Sequence, residues 1–86
     1  MPTIWREAGF RFGFKMGDGK IRRHNVIVER PHVDAIGRGG SMKVWLDTLE
    51  IAEAYGLTRA DIADALRIIQ ENQAEMLDKW REVFGE

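Results

Sequence analysis

Residues 22–34, RRHNVIVERPHVD, gather the side chains in this sequence best suited to chemistry: His24 and His32, Glu29 and Asp34, and Arg22, Arg23 and Arg30. On an extended strand, residues i and i+2 share a face, so His32 and Asp34 project together. A neutral imidazole beside a carboxylate is an oriented general base, and Arg30, on the same parity, is placed to hold a phosphate. A small ribonuclease-like toxin could use that set, with His32 as acid or base and Asp34 beside it. The same pair would be half of a metal site, but only His24 could extend it, so no metal and no cofactor are expected. Against catalysis stand Pro31, which disturbs the strand, and the commoner role of such a histidine at a surface or strand edge. The balance leans away from an enzyme.

The elements that must position these groups read clearly in the first half. Phe10, Phe12, Phe14 and Met16 alternate with Arg11, Gly13 and Lys15, which predicts a strand with one buried aromatic face. Thr3 to Arg6 predicts a short strand before it, reversed through Glu7, Ala8 and Gly9. Gly17-Asp18-Gly19 offers a hairpin turn after it. A third strand is expected between Ile21 and Ile36, with Pro31 at an edge, bulge or break because it has no N–H to donate. Gly37-Arg38-Gly39-Gly40 turns the chain into a fourth strand, in which Met42, Val44 and Leu46 alternate with Lys43, Trp45 and Asp47.

From Asp47 the period lengthens toward 3.6. Leu49, Ile51, Ala52 and Tyr55 predict a short helix closed by Gly56. Thr58 and Asp61 form a T-x-x-D start for a long amphipathic helix with the stripe Ile62, Leu66, Ile69, Gln73, Met76 and Trp80. The expected fold is therefore α+β: a four-stranded, mainly antiparallel sheet with a short helix and a long C-terminal helix packed on one face, in a single domain spanning residues 1–86.

Composition narrows the classes further. An 86-residue chain with 44 % hydrophobic and 31 % charged residues has room for one modest core. The absence of cysteine excludes disulfides, thiolate metal sites and a thiol nucleophile. No apolar run suits a signal segment or a membrane span, so a cytoplasmic location and no membrane partner are expected. The net charge of -1 conceals a division. Residues 1–46, the basic sheet half, hold nine basic and four acidic side chains, or +5. Residues 47–86, the acidic helical half, hold four and ten, or -6. Such asymmetry predicts an electrostatic partner for one face, or head-to-tail self-association.

The expected binding surface is the basic side of the sheet: Arg11 and Lys15 on the polar face of the aromatic strand, Lys20, Arg22 and Arg23 after the Gly-Asp-Gly turn, and Arg30. Trp45 joins them, because its parity opposes Met42, Val44 and Leu46 and leaves its ring available as an anchor. A protein partner fits this surface first. RNA or DNA phosphates would also suit it, and a homodimer is left open. IAEAYGLTRADIADALR has the spacing of a helix-turn-helix about Gly56, yet Asp61 and Asp64 lie where DNA phosphates would come, opposed only by Arg59 and Arg67.

The segments MPTIW, GFRFGF, ERPHVD, KVWLDTLEIAEAYGLTRADIADALRIIQENQAEMLDKW and VFGE together resemble the bacterial domain of unknown function 4160 family. The family has no established activity. The resemblance implies a small single-domain protein often found beside a second small protein, in pairs that resemble toxin–antitoxin modules. It also implies a Pro-His-x-His motif on the third strand. Here Pro31 and His32 match while Asp34 replaces the second histidine, and GKIRRHNVIVER is longer than the family's usual segment. The expected function is accordingly a protein-interaction module of a toxin–antitoxin-like or defence system, or a phage-type inhibitor with the same surface. The alternatives are the His32 ribonuclease and the helix-turn-helix nucleic-acid binder.

Overall fold

The computed structural model describes residues 3–15, 20–23 and 26–84, and for residues 20–23 and 26–29 the backbone pairing alone. The expected Gly17-Asp18-Gly19 turn, Met16 and His24 lie outside the described residues. The elements are β1 (Thr3–Glu7), β2 (Phe10–Gly13), β3 (Lys20–Arg23), β4 (Val26–Glu29), β5 (His32–Gly37), β6 (Gly40–Trp45), β7 (Ile51–Tyr55), α1 (Arg59–Glu71) and α2 (Gln73–Phe84). Five strands form one antiparallel sheet in the order β1-β2-β5-β6-β7, and β3 and β4 pair separately as a two-stranded hairpin. The α+β class is as expected, with one strand more in the main sheet. The span predicted as a third strand, Ile21 to Ile36, falls on three: β3, β4 and, beyond Pro31, β5.

Two tight turns define the sheet. Ala8 and Gly9 join β1 to β2 with φ of 55° and 83°, and Arg38 and Gly39 join β5 to β6 with φ of 52° and 82°. Positive φ at both central residues matches the right-handed twist of the flanking strands, and glycine in the second position accommodates it without strain. Arg38 fastens the two turns together: its Nε and an Nη donate to the Ala8 carbonyl at 3.0 and 2.7 Å, and its guanidinium lies 4.8 Å from the Phe10 ring centre.

Alternation along the strands puts Phe10, Phe12, Val33, Ala35, Met42 and Val44 on one face, where they are buried against Ala65, Ile68, Ile69, Met76 and Trp80 of the helices. Each large side chain so covered contributes about 1.5–3 kcal/mol, an upper range for a chain already partly compact when unfolded. Phe14 continues the apolar line beyond β2 and meets Trp80 edge to face at 5.1 Å.

The second half departs from expectation in two places. The segment predicted as a short helix, Ile51–Tyr55, is the edge strand β7, paired with Ser41–Val44. Five residues are too few to separate a period of two from one of 3.6. What decides is non-local: β6 presents a free edge, and Gly40 lets the β7 backbone approach. A Cβ at Gly40 would stand 2.1 Å from the Tyr55 carbonyl oxygen. The predicted long helix is two helices. Asn72 ends α1 by turning its own amide onto the Ile68 carbonyl at 2.8 Å, the side-chain competition that makes asparagine a stop. Gln73 then opens α2 with its amide on the Leu46 carbonyl at 2.6 Å. The Thr58 start is as expected, a complete capping box: Asp61 N–H donates to Thr58 Oγ1 at 3.1 Å and Thr58 N–H to Asp61 Oδ2 at 3.0 Å.

Candidate functional site

The face of the sheet away from the helices carries the polar chemistry, ordered by register into rows. One row crosses all five strands as Arg6, Arg11, Ile36, Ser41 and Tyr55. The next runs Thr3, Gly13, Asp34, Lys43 and Glu53, and at one end His32 stands opposite Trp45. Gly13 has no side chain beside Asp34, and the row sinks there into a cleft of about 210 Å³ lined by Lys15, Asp34, Ile36, Ser41, Lys43 and Glu53, among others. Asp34 and Lys43, directly opposite each other on β5 and β6, are both buried in its floor. Opposite charges placed across neighbouring strands support the register of the central strands.

His32 and Asp34 occupy alternate positions along β5, but His32 packs against Trp80 of α2 whereas Asp34 lies in the cleft floor. Their surroundings differ. His32 is fully buried, with Nδ1 2.9 Å from the Arg30 carbonyl oxygen and Nε2 2.9 Å from the Lys15 carbonyl oxygen. Its ring also meets Trp80 at 5.0 Å and Trp45 at 6.0 Å between centres. A ring protonated on both nitrogens donates to both carbonyls, and a neutral tautomer donates to one. Either way both nitrogens are committed to backbone. Lys15 and Arg30 flank the β3–β4 arm, so His32 ties together the two points where that arm leaves the sheet. General-base work would need one of these nitrogens to face a substrate, and in this geometry neither does.

The expected binding residues fare unequally. Arg11 and Lys15 are exposed, as the strand parity predicts. Arg30 is engaged within the chain: its guanidinium grips Asp47 through Nε and Nη at 3.0 Å each and lies 4.3 Å from the Trp45 ring centre. That contact raises Arg30 further above its ordinary range and holds the Asp47 carboxyl below its own. Trp45 is half-buried, with Lys43 Nζ 5.0 Å from its ring centre, so cations already cover the face expected to anchor a partner. The side chains of Lys20, Arg22 and Arg23 lie outside the described residues.

Arg6 escaped the sequence reading and belongs with this surface. The two-residue Ala8-Gly9 turn sets it opposite Arg11, both exposed, at an open hollow of about 420 Å³ over the β1–β2 turn. Glu7 lines the same hollow; its carboxylate accepts from Trp5 Nε1 at 3.0 Å and makes no ion pair with either arginine among the described residues. Arg38, Arg67 and Arg81 each hold carboxylates, as Arg30 does. Arg6 and Arg11 hold none among the described residues. The helix-turn-helix geometry loses its first helix to β7, and Asp61 and Asp64 receive Arg38 at 3.0 Å each, which fixes this helix start to the β5–β6 turn. Among the described residues no cluster of three or more histidines, cysteines or carboxylates could hold a metal ion, and no helix is long and apolar enough to cross a membrane.

A search of curated proteins and a search of solved structures each found no match. The family described as "Domain of unknown function (DUF4160)" matches over residues 9–81, from the end of the first turn to the last turns of α2. The match takes in the buried aromatic strand, the arm, the ERPHVD segment and both helices, and the chain belongs to that family.

Proposed function

We propose that this protein is a small interaction module of a toxin–antitoxin-like or defence system, acting in the cytoplasm, which binds an acidic surface of a partner protein through the open face of its sheet. The observation that carries this reading is the Arg6–Arg11 pair. Two like charges directly opposite each other on neighbouring strands destabilise a sheet, and an anionic partner removes that cost. Lys15 extends the basic edge toward the cleft, and Tyr55 ends the row on the far side, 65 % exposed, as an amphipathic contact suited to an interface. With the aromatic strand turned under the helices, one exposed ring is a poor platform for stacking bases, which favours protein over RNA.

Affinity purification of the full chain from a bacterial host at low salt, with identification of what is retained, tests the reading. The wild type is expected to hold one stoichiometric partner that elutes as salt rises, and Arg6→Glu with Arg11→Glu is expected to lose it while circular dichroism stays unchanged. Retention of the same partner by the double variant would refute the role of this face. Binding of a labelled single-stranded RNA that the double variant abolishes would move the assignment to nucleic acid. Growth arrest with RNA degradation, abolished by a folded His32 variant, would move it to the ribonuclease.

A further inference from the structure

We infer that the free edge of β7 is a docking site for an extended basic segment of another protein, added to the sheet as a sixth strand. β7 ends the sheet order, and all five of its residues are exposed. An outer strand presents unpaired N–H and C=O groups, and proteins usually blunt it with lysine, proline or a covering element. β7 carries one charge, Glu53, and a bulge at Ala52 but neither lysine nor proline, and among the described residues its only extensive element contact is with β6. Its register shift leaves Ala52 as the extra residue, so Glu53, Ala54 and Tyr55 form the regular stretch. Among the described residues the exposed large hydrophobic side chains are Ile51, Tyr55 and Val83, and two of them stand on this strand, 42 % and 65 % exposed.

Charge selects the occupant. Glu53 stands opposite Lys43 in the register, but no ion pair within 4 Å takes up its carboxylate among the described residues, and its side is open at the sheet edge. Antiparallel pairing of two β7 strands about their midpoint would set Glu53 against Glu53, which disfavours a second copy. Five residues also bury far less than the roughly 1,600 Å² of a standard protein–protein interface, so this edge suits a short segment held by main-chain bonds. A strand with a lysine or arginine opposite Glu53 and an apolar residue beside Tyr55 satisfies both constraints.

The test uses the full chain labelled with ¹⁵N and a blocked seven-residue peptide of alternating threonine and valine with lysine at its centre. Amide shift changes are expected at residues 51–55, with at least tenfold weaker binding of the same peptide carrying glutamate at its centre. Glu53→Lys is expected to reverse that preference, and N-methylation of the amides on the peptide's pairing edge to abolish binding. No perturbation at 51–55 at millimolar peptide, perturbation centred on Arg6 and Arg11 instead, or equal binding of both peptides would overturn the inference. Arg6→Glu with Arg11→Glu leaves this edge intact, so each face fails or stands separately.

Discussion

Replacing His32 with alanine separates its two readings, because a structural tie and a catalytic base predict different first effects. The ring is fully buried between Trp45 and Trp80, and each nitrogen sits 2.9 Å from a backbone carbonyl. Truncating a buried aromatic ring costs about 3–5 kcal/mol. Leaving a carbonyl without its donor adds roughly 1–3 kcal/mol where water cannot reach it. Both hydrogen bonds are only partly buried, so water recovers most of that loss and the total stays close to the ring's own cost of about 3–5 kcal/mol. A domain of this size has on the order of 5–10 kcal/mol to lose. Urea unfolding followed by tryptophan fluorescence and near-ultraviolet circular dichroism reads the effect, and the midpoint is expected to fall by about 2 M or more. His32→Gln keeps a donor but cannot reach both carbonyls, so it should fall between. A loss below about 1 kcal/mol in His32→Ala would refute the tie between the two roots of the β3–β4 arm and return the imidazole to the candidates for chemistry.

Three further outcomes follow from particular contacts. Thr58→Ala removes one half of the capping box at α1 and is expected to cost about 1 kcal/mol in urea unfolding, with Thr58→Ser largely restoring it. Gly37→Ala sets a Cβ 2.1 Å from the Gly9 carbonyl oxygen, a backbone collision that side-chain motion cannot relieve; at least about 2 kcal/mol should be lost. Asp47 is held below the ordinary carboxylate range chiefly by its hydrogen bonds from Arg30. A depressed folded value means the pair stabilises above the unfolded value of about 3.9 and is lost as pH falls through the folded value. Because Asp47 is 44 % exposed, screening limits the gain to at most about 1 kcal/mol. Asp47→Asn should therefore lower stability slightly at neutral pH and flatten the loss as pH falls below about 4; an unchanged acid limb would show the pair to be inert.

The parts of this fold that were legible in the sequence are those set by local rules. Ala8-Gly9 and Arg38-Gly39 announce their turns, the Phe10–Phe14 alternation announces the buried face, and Thr58 with Asp61 announces the start of α1. The parts that were not depend on distant partners. Ile51–Tyr55 fits a helix or a strand equally well until β6 is seen to need a neighbour. Asn72 carried a local stop signal, outweighed in the reading by an apolar stripe that continues across it. At the site, the alternate placing of His32 and Asp34 along β5 was legible, but the burial of His32 depends on a carbonyl 17 residues earlier. Arg6 was missed because a reversal through Glu7, Ala8 and Gly9 would set it opposite Phe10, whereas the turn takes only Ala8 and Gly9 and sets it opposite Arg11.

The charge division also acquires a different meaning once the ion pairs are placed. A basic half and an acidic half suggest two copies meeting head to tail, but the strongest contacts between them are made within one chain. Arg30 of the first half holds Asp47 of the second, and Arg38 holds Asp61 and Asp64 while reaching the Ala8 carbonyl. Much of the asymmetry thus joins sheet to helices and the two turns to each other. On the open face of the sheet, the charges that no ion pair takes up among the described residues include Arg6 and Arg11 at one side and Glu53 at the opposite edge. Between them the Asp34–Lys43 row is buried and nearly neutral, so the sheet is polarised across its width. A single partner spanning it would need an acidic surface over β1 and β2 and a basic segment along β7. Reversing the charge at one edge should then weaken that partner without abolishing it, whereas reversing both should abolish it, and the coupling between the two edges measures whether one molecule bridges them.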